Sequence, residues 1–364
     1  MDALSALSRQ ALPSFLVPFV SISYEVPAPA QPDSFPNSSY HDIGWKDVCL
    51  MVTLIAAMAL LRDVTRIVVL EPFANWMLTR QWRKRKAAEG GNETPNLAKA
   101  DADSKAENSA LGPKKPSLER LVASSREQRR IRHSVVRFAE QGWMWIYYVW
   151  MFSFGMYVYF GLPADPWTGY PHIPLPAPVK LYYLWQMGFY LHSILVLNAE
   201  ARRKDHWQMM AHHVVTIALM TLSYTYNFTR VGCVILVIMD CCDLIFPMAK
   251  MLRYLGYQTA CDLAFVVFMM SWLYTRHFLF IRIIWSTAFD LPVRVPLLWE
   301  PERGSYITLD VVHGFVVLLS ALEVIQIVWC FMIFSVAYRV VTGQGADDSR
   351  SDDEGDDEDV KKER

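Results

Sequence analysis

Apolar residues in this chain come in long blocks, without the short alternations of a soluble fold, and those blocks set its architecture. Seven run for roughly 20 residues, the length a helix needs to cross a bilayer core of about 30 Å. They lie near 43–69, 142–161, 179–197, 206–226, 231–250, 260–284 and 307–340. The first is interrupted by Arg62, Asp63 and Arg66. The pattern predicts an all-α polytopic membrane protein with about seven transmembrane helices.

The polar stretches orient them. Basic residues crowd into 80–137, Arg202 to Lys204, and Lys250 with Arg253, and such loops stay cytosolic. The N-terminus is therefore expected in the lumen and the C-terminus in the cytosol. The segments become a lumenal piece 1–42, a first span 43–69, a basic and partly disordered cytosolic loop 70–125, a six-helix region 126–340 and a cytosolic tail 341–364. Charges beside Leu121, Val122, Ile131, Val135 and Phe138 predict an amphipathic interfacial helix within 120–137. Composition agrees: 53% hydrophobic and 13% aromatic residues exceed a soluble enzyme of this length. The net charge of -1 only averages a basic loop against an acidic tail.

Smaller signals refine the topology. All six cysteines sit in apolar segments, as buried small hydrophobes, and no disulfide is expected. Pro13 and Pro18 break the N-terminal apolar stretch, so no cleaved signal peptide is expected. Of three sequons, only Asn37 is expected to be a glycosylation acceptor, because Asn92 is cytosolic and Asn227 lies in a tight turn. The tail carries nine acidic residues between Asp347 and Asp359, with Ser349 and Ser351 in acidophilic-kinase contexts. It ends with Lys361 and Lys362 at the fourth and third positions from the end, as in a dilysine retrieval signal of endoplasmic reticulum membrane proteins.

Candidate chemistry lies in the hairpin 206–250, where His212, His213, Asp240 and Asp243 interrupt apolar sequence. Charged groups are costly in hydrocarbon, so several in one hairpin point to a protein-lined site. The turn centres near Phe228, which puts His213 and Asp243 at equal depth, with His212 about 9 Å in from His206 and Asp243 about 10 Å in from Lys250 by the helical rise per residue. Asp240 and Asp243 share one helical face, while the two histidines diverge by about 100°. A carboxylate that orients an imidazole leaves the other ring nitrogen free to take a proton or attack a carbonyl. Helix-gluing polar residues and a metal site are the alternatives, the latter weakened because six of the remaining histidines are scattered.

A family resemblance narrows this. Arg202 through Trp207, His212 through Thr216, Ser223-Tyr224, Asn227 through Arg230, Met239-Asp240, Asp243 and Ala249-Lys250 resemble the Lag1 motif (about 202–253) of ceramide synthases, inside a TLC domain. Trp272 through His277, Ile284 through Ser286 and Arg350 through Asp352 continue it, while Ile22-Ser23-Tyr24 and the absence of a homeobox-like segment resemble the fungal type. The resemblance implies six helices in a TLC-type barrel around a lipid or acyl cavity. It implies transfer of a fatty acyl group from acyl-CoA to the amine of sphinganine or phytosphingosine, in the endoplasmic reticulum membrane, with His212, His213, Asp240 and Asp243 catalytic. Tyr224, Asn227, Arg230, Arg276 and His277 would support the site. Arg202, Arg203, Lys204, Arg129 and Arg130 would meet the CoA phosphates, or serve only as positive-inside anchors. Acyl-CoA is expected as co-substrate, with no further cofactor, no metal and no nucleic acid. Fungal relatives suggest dimers with a paralogue and a small single-span subunit. The rival reading is a non-catalytic TLC-domain lipid sensor.

Overall fold

A computed structural model describes residues 12–92, 118–199 and 205–342, most of them helical. A single turn, α1 (Val17–Val20), precedes α2 (Asp47–Val64) and α3 (Glu71–Asn92). Then follow α4 (Leu118–Gly161), α5 (Ala177–Ala199), α6 (His206–Thr225), α7 (Thr229–Tyr254), α8 (Gln258–Trp272), α9 (Phe280–Trp285), α10 (Leu291–Arg294) and α11 (Leu309–Val341). Wide π turns at Thr65–Leu70, Leu273–Leu279 and Ser286–Asp290 join α2 to α3 and α8 to α9 to α10.

Among the described residues, four helical stretches are long and apolar enough to cross a membrane by length and composition: Asp47–Lys84, Thr229–Tyr254, Gln258–Arg294 and Leu309–Val340. The other three predicted spans are helical too. Two of them, α5 and α6, bury Lys180, Gln186, His192, His206 and His213, which dilutes their apolar character.

Helix ends differ from expectation in three places. The helix expected to stop at 69 continues to Asn92; the π turn before Pro72 accommodates a residue with no N–H to give and a ring that would crowd a regular turn. The amphipathic segment and the second span form one helix, α4, without a break. Residues 285–294, expected in a loop, continue the preceding helix through a second π turn.

The chain divides into two compact units. The smaller, Arg62–Tyr147 with Ile245–Phe265, packs Ala74, Leu78, Val135 and Phe138 against Met251 and Tyr254, and Gln81 Nε2 donates to Leu255 O at 2.7 Å. The larger, Met1–Leu61, Tyr148–Leu244 and Val266–Arg364, contains all the candidate catalytic residues. Within it, β1 (Glu25–Val26), β2 (Tyr40–His41) and β3 (Leu175–Pro176) pair antiparallel in that order. A buried ion pair, Lys180 Nζ to Asp47 Oδ1 at 2.8 Å, ties α5 to the start of α2, and Tyr224 Oη of α6 donates to Asp47 Oδ2 at 2.9 Å. A short hairpin, β4 (Trp299–Glu300) and β5 (Ser305–Tyr306), leads into α11, where Thr308 caps the helix by accepting from Val311 N.

The α6–α7 turn explains its own sequence. Asn227 sits at φ 62°, a left-handed conformation that asparagine tolerates better than most side chains. Its buried amide donates to Gly304 O at 2.8 Å, so this sequon is committed to structure. His172 Nδ1 lies 3.2 Å from Asn227 O, and burial with the nearby Arg230 guanidinium pulls that imidazole down to about 4, so it is neutral at neutral pH. Gly232, at the start of α7, faces the Tyr183 hydroxyl so closely that an added methyl would overlap it. Gly232→Ala is therefore expected to break the 2.6 Å Tyr183–Ser223 hydrogen bond and cost about 1–3 kcal/mol as overpacking. A fall in melting temperature of the detergent-solubilised protein checks this.

Candidate functional site

His212 and His213 stand side by side on α6, ring centroids 5.4 Å apart. As the helical angle between neighbours requires, they face differently. His212 meets Trp329 of α11 at 5.2 Å, and Tyr190 of α5 lies 5.9 Å from His213 and 6.5 Å from His212. Both Nδ1 atoms are buried without a protein partner.

The two aspartates are held by other groups. Asp240 is 1% exposed and its Oδ2 accepts from Gln186 Nε2 at 2.6 Å. Asp243 Oδ2 pairs with Arg276 at 2.7 Å, and the same guanidinium donates to Met239 O at 2.8 Å. Arg276 lies 5.0 Å over the Trp272 ring, and its charge acts on both His212 and Asp240. Among the described residues, neither aspartate is hydrogen-bonded directly to His212 or His213. Asp243 is held by Arg276 and Asp240 by Gln186 instead. Arg276 and His277 both lie on the π turn Leu273–Leu279, and wide turns of this kind concentrate at functional sites.

An apolar slot runs from this cluster. Tyr190, His212, Met239 and Arg276 line one end, and Trp167, Phe228, Leu291 and Phe315 the other. His212 and Ser223, the first and last residues of α6 that line the slot, are eleven positions apart, about 17 Å at the helical rise. The far end is closed by a cluster around Trp167, Phe228, Leu291 and Ile307, and Trp167 Nε1 donates to Ser286 Oγ at 2.9 Å.

The motif residues thus divide between two ends. Arg276 joins the histidine cluster, while His277, next to it on the π turn, pairs with Glu323 of α11 at 2.6 Å. Tyr224, Asn227 and Arg230 lie at the closed end: Tyr224 on Asp47, Asn227 in the turn, and Arg230 on Asp33 and Thr168 O at 2.5 and 2.9 Å. Arg230 holds the Asp33 carboxyl below the usual carboxylate range against the opposing effect of burial. Asn37 and Arg129 are exposed. Arg202, Arg203, Lys204, Ser349, Ser351, Lys361 and Lys362 lie outside the described residues, as does the side chain of Arg130.

Several site groups escaped the motif reading: Tyr190, Gln186 and Trp329 at the cluster, Glu323 beside His277, and the Lys180–Asp47 pair. Glu323 and Lys180 carried a usable signal, as ionisable residues inside predicted spans. The aromatic residues and Gln186 carried none, since only packing reveals which of many such side chains face inward.

A TLC domain family profile matches residues 137–335. Sphingosine N-acyltransferase lag1 of Schizosaccharomyces pombe is 43% identical over 248 residues, 64% of this chain and 61% of that protein. Ceramide Synthase FUM18 of Gibberella moniliformis is 35% identical over 271 residues, 66% of this chain and 62% of that protein. Ceramide synthase hyl-1 of Caenorhabditis elegans is 34% identical over 221 residues, 58% and 59% of the two chains. The chain spans about three fifths of the length of these curated relatives. With a profile match over more than half of its residues, running from α4 through nearly all of α11, the chain belongs to the TLC domain family.

Proposed function

We propose that this chain is a ceramide synthase that transfers a fatty acyl group from acyl-CoA to the amine of a sphingoid base, in the endoplasmic reticulum membrane. The observation that carries the reading is a pair of histidines and a guanidinium at the head of a closed apolar slot. A thioester requires such a slot for its chain and a polar cluster for its carbonyl. The similar fungal and worm proteins named for this activity support the substrate class. The lumenal N-terminus, the cytosolic dilysine tail, glycosylation at Asn37 and phosphorylation at Ser349 and Ser351 belong to this reading, as do a paralogue and a small single-span subunit as partners.

In the reaction the thioester C–S bond breaks, an amide C–N bond forms, and the proton lost by the amine leaves with the CoA thiol. His212 contacts the acyl carbonyl as base or nucleophile, and His213 assists. Arg276, charge-balanced by Asp243, stabilises the oxyanion. Asp240, held by Gln186, supports the polar cluster beside the histidines. Arg202, Arg203, Lys204, Arg129 and Arg130 bind the CoA phosphates. No cofactor or metal takes part.

Incubating purified protein with acyl-CoA and sphinganine or phytosphingosine tests the reading: formation of the N-acyl product supports it, and its absence with folded protein overturns it. Intact mass after acyl-CoA alone separates the chemical routes, an acyl adduct marking the covalent one.

The slot adds a prediction on chain length. Along α6 its lining extends about 17 Å, close to the roughly 15 Å of one leaflet's share of the hydrocarbon core, which fits an acyl chain laid along the helix. Leu291, 1% exposed, is part of the floor. Leu291→Ala is expected to shift products toward longer chains, by about fourfold per added methylene that gains burial. A panel of acyl-CoA lengths reads this out, and an unchanged profile removes Leu291 from the floor.

A further inference from the structure

One polar side chain interrupts the apolar stripe of α11. Phe315, Leu319 and Leu322 line the slot, and the next positions of the same 3–4 spacing are Gln326 and Trp329. Trp329 touches His212, so the stripe leads from the slot to the reacting cluster. Gln326 is 0% exposed and neither its Nε2 nor its Oε1 has a protein partner. Glu323 stands one turn away, on the adjoining part of that face. One of its carboxylate oxygens accepts from His277 Nδ1 at 2.6 Å, while Glu323 Oε2 and His277 Nε2 are buried without partners.

Helix-gluing polar residues satisfy one another across the interface, and these atoms do not. Buried donors and acceptors without partners carry a desolvation cost that a ligand group relieves. The set is mixed: an amide that donates and accepts, a carboxylate oxygen that accepts, and an imidazole nitrogen that accepts when the ring is neutral and donates when it is protonated. Hydroxyl groups, which donate and accept from one atom, are its natural complement. Six residues separate Glu323 from Trp329, about 9 Å along the helix, the scale of a short hydroxylated head reaching back from the acyl carbonyl.

We propose that Gln326, Glu323 and His277 form the subsite that reads the hydroxyl groups of the amine substrate, an amino-alcohol head, while its amine meets the acyl carbonyl at His212. This rests on the acyltransferase reading above and deepens it by assigning the acceptor subsite. A site built to pair buried groups with substrate hydroxyls rejects an analogue lacking them, by about 10⁴-fold in favourable cases.

The test compares two amines of equal chain length with one acyl-CoA, using the full chain: a 2-amino-1,3-octadecanediol and plain octadecylamine. Wild-type protein is expected to prefer the diol strongly. Gln326→Leu and the isosteric Glu323→Gln are each expected to lower kcat/KM for the diol by about 10–100-fold, while KM for acyl-CoA and the octadecylamine rate stay put, so that the preference collapses. A preserved diol-to-monoamine ratio, or an equal loss on both amines, overturns the subsite. Where Gln326→Leu fails to accumulate, Glu323→Gln decides by the same ratio. A wild-type protein that acylates neither amine overturns the acyltransferase reading itself, an outcome distinct from a lost preference.

Discussion

His212→Ala is expected to lower amide formation by about 10²–10⁴-fold, the range that a positioned acid–base side chain contributes, with more lost if the ring also carries the acyl group. The physical ground is its place: His212 lines the slot, lies 5.2 Å from Trp329 and next to His213, and is within the field of Arg276. Asp240→Asn keeps the shape around Gln186 but replaces the acid with an amide, so a smaller loss is expected, in kcat more than in KM for acyl-CoA. Microsomes with matched protein amounts supply the measurement. Undiminished activity in His212→Ala would remove it from the catalytic role.

The second large effect concerns stability. Lys180 and Asp47 are 0% and 3% exposed and pair at 2.8 Å. Lys180 also donates to Ser23 O at 3.1 Å and Asp42 O at 2.6 Å, and stands 5.5 Å over the Tyr24 ring. The N-terminal segment is thereby fastened to α5 and, through Tyr224, to α6. Lys180→Met leaves a buried carboxylate without its cation, and breaking such a pair costs about 3–5 kcal/mol. A lower melting temperature and early proteolysis of the N-terminal segment are expected. Adding Asp47→Leu removes the stranded charge and is expected to restore much of the loss; a double variant no more stable than Lys180→Met would show that the hydrogen bonds to Ser23 and Asp42 matter more than the ion pair.

Local pattern reached far in this chain because a membrane simplifies the problem: a helix that crosses lipid must satisfy its own backbone and present apolar side chains. The α6–α7 hairpin therefore stood out with its turn near Phe228, observed between Thr225 and Thr229. His212, His213, Asp240 and Asp243 stood out for the complementary reason, that ionisable groups are rare there. Helix ends were less legible. Polar residues at 70–92 and 120–137 looked like loop and interfacial helix, yet both continue neighbouring helices, because Ala74, Leu78, Val135 and Phe138 on these extensions pack together and against Met251 and Tyr254, a face too narrow to show as an apolar block.

The sequence by itself determined the helical membrane class and the four ionisable residues of the candidate site, since these follow from composition and from spacing along a helix, and its resemblance to the Lag1 motif pointed to the family. Only the tertiary structure decided who holds whom. Asp243 went to Arg276 and Asp240 to Gln186, each leaving the histidines to act without a direct carboxylate bond. Tyr224, Asn227 and Arg230, adjacent in the motif, went to the closed end of the slot, and Lys180 found Asp47 across 133 residues of chain. Such pairings depend on which helix faces meet across the bundle, and helical periodicity says which residues share a face without saying what that face will touch.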